Sequence, residues 1–190
     1  LSDLTKDSFP KLDTATVIPS QVDAAGMKLA KDRNLQVAIG SPVPEWTRHK
    51  NGLWHYSSSK TTLTDKQFSE YLPYYQKRDQ SIEGREINIT TQTDKNSDNL
   101  DLGDATKVIL KASQLSPGGL AKINGADKII VINNTNLLAQ WTRYSDGKWV
   151  SPAGAVLSDE DFLKKLLVIY KNLLPNQIIL LLKKKLNLPL

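Results

Sequence analysis

Short runs of alternating apolar and polar residues recur at matching places in the two halves of the chain. TATVI (14–18) and TKVIL (106–110) are rich in β-branched residues, and NLQVAI (34–39) and KIIVIN (128–133) follow them at similar distances. Runs of this length between polar and Gly-containing stretches predict strands. A short helix or turn is expected between the two strands of each half.

Two further segments predict β-hairpins. EWTRHKNGLWHYS (45–57) turns at Asn51-Gly52, and QWTRYSDGKWVS (140–151) turns at Asp146-Gly147. Asn-Gly and Asp-Gly are strong hairpin signals because these residues tolerate positive φ. REINITT (85–91) and NQIILLL (176–182) are expected to close the two units as strands.

A helix start follows each hairpin. TLTDKQFSEYL (62–72) aligns with VLSDEDFLKKL (156–166), with Thr64 and Ser158 as the predicted N-caps. A side chain three residues later can reach back to each cap, and apolar residues then follow at helical spacing. This predicts the main helix of each half.

The halves are diverged copies of one unit. WTRHKNGLW (46–54) matches WTRYSDGKW (141–149), and this pattern uses all four tryptophans of the chain. Self-similarity at this spacing indicates a repeat architecture. We therefore predict an α+β fold of two similar small domains in tandem, each with about five short strands, one Trp-bearing hairpin and one main helix. The first unit spans 1–93, a linker or loop 94–101, and the second unit 102–190.

Composition narrows the class of protein. The chain has 39% hydrophobic and 24% charged residues, so each half can form a core, and it has no cysteine for disulfides or thiolate metal sites. Polar residues interrupt the apolar stretch 166–182, so we expect no membrane span and a soluble protein. The start at Leu1 without Met suggests a piece of a longer chain.

The repeated aromatic residues have two interpretations. Aromatic faces stack on sugars and bases, which would make the tryptophans a binding platform. Cross-strand aromatic pairs also stabilise a hairpin, and this structural role is the favoured prediction. The expected core of the repeat comprises Trp46, Trp54, Phe68, Trp141, Trp149 and Phe162.

The repeated charged residues also have two interpretations. Arg48 and Arg143 could bind a phosphate or carboxylate through a bidentate fork. Asp65 and Asp159 recur at the first turn of the following helix. We predict ion pairs between Arg48 and Asp65, and between Arg143 and Asp159, that tie each hairpin to its helix.

The unrepeated residues give weak candidates for chemistry. His49 and His55 align with Tyr144 and Val150, so the second unit does not repeat them. We predict no catalytic residues, no metal site and no cofactor. The net charge is +5, and the basic run Lys183, Lys184 and Lys185 is a candidate contact for an acidic partner, or a soluble end to an apolar strand.

The hairpin WTRYSDGKWVS, the preceding IVINNT strand and the following SDEDF helix start resemble small repeated modules of virion structural proteins from tailed phages. Such modules occur in tail fibres, baseplates and adaptors, and commonly form symmetric oligomers. The resemblance covers both units and implies a class of role rather than any functional residue.

The expected function is that of a non-catalytic structural or interaction protein, a tandem-repeat component of a larger assembly such as a phage virion or tail. Its expected partners are other protein subunits, including copies of itself, and not nucleic acid. Its expected location is the virion or otherwise the cytoplasm. The alternative is a tandem carbohydrate- or nucleic-acid-binding module that uses the repeated Trp and Arg residues, and the exposure of those side chains separates the two hypotheses.

Overall fold

The computed structural model describes residues 13–40, 42–78, 83–92, 94–116, 118–119, 122, 128–133 and 140–173. The chain divides into two compact units. One comprises Leu1–Ser81 with Ser151–Val156, and the other comprises Ile82–Val150 with Leu157–Leu190. Each unit contains one mixed sheet, so the predicted α+β fold with two similar domains is confirmed.

The first sheet contains five strands in sequence order. Its first two strands are parallel, and each later strand is antiparallel to the one before it. The strands are β1 (Thr14–Val17), β2 (Gln36–Ile39), β3 (Trp46–Arg48), β4 (Leu53–Tyr56) and β5 (Thr62–Thr64).

Two helices belong to the first unit. Helix α1 (Ala24–Asp32) forms the crossover between the parallel strands β1 and β2, and α2 (Asp65–Arg78) follows β5. Asp23 caps α1 by accepting a hydrogen bond from the amide of Gly26. Thr64 caps α2 as predicted, since its hydroxyl accepts from the amide of Gln67 and its own amide donates to the Gln67 side chain.

The second sheet repeats this arrangement and adds one strand. Its order is β11-β10-β9-β8-β7-β6. β6 pairs with β7 in parallel, and β7 pairs with β8 in parallel. The strands are β6 (Arg85–Asn88), β7 (Ala105–Lys111), β8 (Ile129–Asn133), β9 (Trp141–Arg143), β10 (Lys148–Val150) and β11 (Val156–Ser158). Helix α3 (Asp159–Leu173) follows β11 as α2 follows β5.

Strand alternation sends one set of side chains into each core. In β9, Trp141 and Arg143 are buried whereas Thr142 is only half-buried. In β3, Trp46 and Arg48 are buried in the same way. The core of the second unit comprises Ile89, Leu100, Ala105, Val108, Leu110, Ala112, Leu115, Ile130, Ile132, Trp141, Trp149, Phe162 and Leu166.

Each hairpin turns through a glycine at positive φ. Gly52 and Gly147 both have φ of 80°, and the amide of Gly52 donates to the carbonyl of His49 at 2.9 Å. Asn51, which precedes Gly52, does not have a positive φ. Its side chain instead accepts from the amide of Leu53, and this geometry is that of a type I turn followed by a left-handed glycine.

The prediction that REINITT (85–91) closes the first unit is wrong. Residues 85–88 form β6, which pairs with β7 in the second sheet, and the fifth strand of the first sheet is β5 instead. The predicted linker 94–101 likewise contributes to the second unit, because Leu100 belongs to its core and Ser97 is buried. The two compact units divide between Ser81 and Ile82, whereas the predicted boundaries lie at residues 93 and 101.

Two sequence predictions lie outside the described residues. They are the strand NQIILLL at 176–182 and the basic run Lys183, Lys184 and Lys185.

Gln114 ties the segment after β6 to the second unit. Its side-chain amide donates to the carbonyls of Ile89 and Gln92, both at 2.7 Å, and of Lys95 at 3.1 Å. We expect Gln114→Ala to lower the free energy of unfolding by about 1–3 kcal/mol, because it leaves the buried carbonyl of Ile89 and two part-buried carbonyls without this donor. Urea unfolding followed by Trp fluorescence measures this loss.

The control is Gln36→Ala, since Gln36 is an exposed glutamine of β2. This variant should unfold close to wild type. Equal losses in both variants would contradict the role assigned to Gln114.

Candidate functional site: the repeated Arg–Asp–Trp cluster

A buried arginine lies at the centre of each unit. In the first unit, hairpin register places Arg48 directly opposite Trp54, and the Arg48 side chain is only 2% exposed. Its Nε and Nη2 donate to the two carboxylate oxygens of Asp65 at 2.7 and 2.8 Å. Its Nη1 donates to the carbonyl of Leu35 at 2.7 Å. A backbone carbonyl just before β2 thus accepts from the guanidinium, and the aspartate at the start of α2 neutralises its charge.

The indole of Trp54 completes this cluster. Its Nε1 donates to Asp65 Oδ1 at 2.9 Å, so one carboxylate accepts from both the arginine and the tryptophan of the hairpin. The Trp54 ring stacks on Phe68 with centroids 3.7 Å apart and planes 3° from parallel. Trp46 approaches the same Phe68 ring edge-on at 5.4 Å.

The second unit reproduces the cluster with nearly the same geometry. Arg143 Nε and Nη2 donate to Asp159 at 2.8 and 2.9 Å, and Trp149 Nε1 donates to Asp159 Oδ1 at 2.8 Å. Trp149 stacks on Phe162 at 3.8 Å with an interplanar angle of 7°. Both predicted ion pairs are therefore present in the structure.

The hairpin glycine lies next to the ion pair. A Cβ added at Gly52 would lie 3.6 Å from Asp65 Oδ2 and 3.8 Å from Arg48 Nη2. A side chain at this turn position would therefore contact the ion pair, whose aspartate side chain is 22% exposed. The cluster has no room for a phosphate or carboxylate ligand, because Asp65 already occupies the bidentate face of the guanidinium.

Electrostatics hold the carboxylate in its charged form. Partial burial of Asp65 raises its pKa, but hydrogen bonds from Arg48 and Trp54 and the charge of Arg48 outweigh this effect, so the pKa lies below 3.8. Its position at the first turn of α2 also suits the helix dipole.

The tryptophans do not form a binding platform. Trp46, Trp54 and Trp149 are 0% exposed, and Trp141 is 4% exposed. Stacking on a sugar or base requires an accessible ring face. The rings instead form the interior of each unit against Phe68 and Phe162.

The two histidines lie together on the first hairpin. His49 and His55 are exposed, and their rings meet edge to face with centroids 4.6 Å apart. Among the described residues, no group of three or more His, Asp or Glu side chains could hold a metal ion.

A groove lies between the two helices of the first unit. It has a volume of about 490 Å³, and Val22, Met27 and Leu72 line its apolar part. Asp65 also borders the groove, but its carboxylate oxygens are bound to Arg48 and Trp54. Asp23, Lys28, Lys31 and Lys66 also line the groove.

Sequence reasoning missed a second repeated feature. Gln21 and Gln114 each end a 3-10 turn after the first strand of the common fold, and each side chain accepts a hydrogen bond from a backbone amide three residues earlier. The signal was present as the dipeptide Ser-Gln at 20–21 and 113–114. This feature is structural as well.

Comparisons of the chain with protein-family models, curated protein sequences and solved structures gave no match. Among the described residues, no helix has the length and apolar character needed to cross a membrane.

Removal of either aspartate should destabilise its own unit. Asp65→Ala leaves the buried Arg48 charge unpaired, and we expect a loss of about 3 kcal/mol in the free energy of unfolding, at the lower end for a broken buried ion pair. Asp159→Ala should act similarly on the second unit. Denaturant unfolding followed by Trp fluorescence measures both effects.

The control for these variants is Asp104→Ala, because Asp104 forms an exposed ion pair with Arg85 and should contribute little. If Asp104→Ala lowers the free energy of unfolding as much as Asp65→Ala does, the ion pair at Arg48 stabilises the protein no more than an exposed ion pair.

The first unit should lose stability in acid through Asp65. Because the folded-state pKa of Asp65 lies below the ordinary 3.8, the unfolded chain binds more protons, and stability falls as the pH drops below this value. We expect Asp65→Asn to show a shallower acid decline than wild type, measured by unfolding at a series of pH values. High salt should preserve this difference, since the pair is partly buried. Parallel declines for the two proteins would refute the assignment.

Proposed function

We propose that the chain is a non-catalytic structural or interaction protein, a tandem-repeat component of a larger assembly. The observation that supports this most directly is the repeated cluster itself. The arginine, the aspartate and the second hairpin tryptophan that both units share are hydrogen-bonded within their own unit: Arg48, Asp65 and Trp54 in the first, and Arg143, Asp159 and Trp149 in the second. Duplication has therefore retained a scaffold.

The burial of these residues also weighs against the alternative of a carbohydrate- or nucleic-acid-binding module. That hypothesis needs accessible rings and a free guanidinium, whereas Arg48 is 2% exposed and Arg143 is 3% exposed. Binding through these residues would require each cluster to open, at a cost comparable to the stability of a small domain.

The assembly we propose is the kind that the resemblance to tailed-phage virion modules implies, with other protein subunits as partners and the virion as location. Two structurally similar units in one chain supply spacing and repeated contact surfaces. Repetition of a small unit is a common way to build extended particles from limited sequence.

The solution mass tests this proposal. Light scattering over a wide range of protein concentrations should show masses above the monomer that rise with concentration. Trp fluorescence should stay unchanged on addition of oligosaccharides or single-stranded oligonucleotides, because the rings are buried. A monomer at every concentration whose Trp emission is quenched by such a ligand would replace this proposal with the binding module.

A further inference from the structure

Strands β1 and β7 occupy the same position in their sheets. In the first sheet, Ala15 pairs with Val37, the β2 residue opposite the buried arginine of that unit. In the second sheet, Val108 pairs with Ile130, the β8 residue opposite the equivalent arginine. The two sheets can therefore be compared residue by residue, with Thr14 and Thr16 in the places of Lys107 and Ile109.

The outer edges of these two strands differ. β6 covers the outer edge of β7 as a parallel strand, and the amide of Ile89 donates to the carbonyl of Ile109 at 3.0 Å. Within the described part of the chain, no strand pairs with the outer edge of β1. The first sheet thus shows five of the six strands that the second sheet contains.

The backbone of β1 is arranged to accept a sixth strand. The amide of Gln36 donates to Asp13, and the amide of Gly40 donates to Val17, so the odd-numbered residues of β1 bond to β2. In a parallel ladder the intervening residues point their backbone groups the other way. The amide and carbonyl groups of Thr14 and Thr16 therefore face the outer edge.

Burial follows the same difference. Val108 and Leu110 of β7 are 0% exposed, whereas their counterparts Ala15 and Val17 are only half-buried. Ile18, at the end of β1, is 44% exposed. An apolar strand on the outer edge of β1 would cover these groups, as β6 does in the second unit.

The chain contains a second sequence of the β6 type. REINITT (85–91) follows α2, and NQIILLL (176–182) follows α3, each with two polar residues before alternating or continuous apolar ones. With the two sequences aligned, Gln177 takes the place of Glu86. Glu86 forms an ion pair with Lys107 at 2.8 Å, whereas the equivalent position in β1 is the uncharged Thr14. An uncharged donor strand therefore matches the uncharged edge of β1.

We propose that the outer edge of β1 binds residues 176–182 of a second copy of this chain as a parallel sixth strand, with Ile179 opposite Thr16. In this chain, the segment after the first main helix completes the sheet of the next unit. The same rule applied to the segment after α3 completes the first sheet of the following molecule. The contact is head-to-tail, and it extends into a filament or closes into a ring.

This inference rests on the proposed function, because it gives the assembly its contact between subunits. The proposed contact takes its affinity from main-chain hydrogen bonds at the sheet edge. Its register depends on side-chain fit, as in other cases of strand addition.

The absence of cysteine makes disulfide trapping a direct test. Paired residues on neighbouring strands lie about 5 Å apart, within the range that a disulfide spans. When Thr16→Cys and Ile179→Cys chains are mixed and oxidised, we expect a disulfide-linked heterodimer. Two single variants can form this product only between molecules.

The matched control replaces Ile179→Cys with Ile178→Cys, whose side chain would point to the opposite face of the added strand. The heterodimer yield should then fall at least about fivefold, because the Cβ vectors diverge. Equal yields, or no heterodimer from either mixture, would overturn the proposed register. A double variant Thr16→Cys/Ile179→Cys that closes only within one molecule would overturn the second copy as the partner.

Self-association gives an independent measurement. Thr16→Pro removes the outward amide at an edge where proline is tolerated, and it should weaken association about fivefold or more, whereas Thr16→Ala keeps the amide and should not. Circular dichroism checks that both variants fold. Association that Thr16→Pro leaves unchanged, without trapping at 16 and 179, would refute this contact and leave the proposed assembly standing.

Discussion

A guanidinium enclosed between a sheet and a helix needs an opposite charge and a full set of acceptors, since an unpaired buried charge costs several kcal/mol. In this protein Asp65 and the carbonyl of Leu35 meet that need for Arg48. The aspartate also binds the indole of Trp54, which places that ring on Phe68. One carboxylate therefore fixes the hairpin, the helix start and the aromatic core with respect to one another, and the second unit repeats the arrangement at Asp159.

The two units share this interior and differ at their margins. The first hairpin carries the exposed pair His49 and His55, which the second hairpin lacks. The outer edge of β7 carries β6, whereas none of the described strands covers the outer edge of β1. The two units therefore share the groups that stabilise each interior and differ in the groups at their surfaces.

The pairing of β6 with β7 places this strand in the second unit. This strand follows the main helix of the first unit in sequence, but it pairs within the sheet of the second unit. Within the second unit, Gln114 holds the chain that follows β6 with its side-chain amide. An exposed strand edge promotes association unless it is covered, and the proposed contact uses the edge of β1 for this reason.

The amino-acid sequence by itself determined the features that depend on near neighbours. The hairpins follow from Gly52 and Gly147, and the helix starts from Thr64 and Ser158. The ion pairs follow from Arg and Asp residues that recur at the same places in both copies. Only the tertiary structure decided which sheet β6 joins, because a short strand with a suitable pattern can pair with any open parallel edge. The burial of Ser97 and Leu100, in a polar segment that reads as a linker, was decided in the same way. Local preference specifies an element, whereas its partner depends on packing between residues distant in the chain.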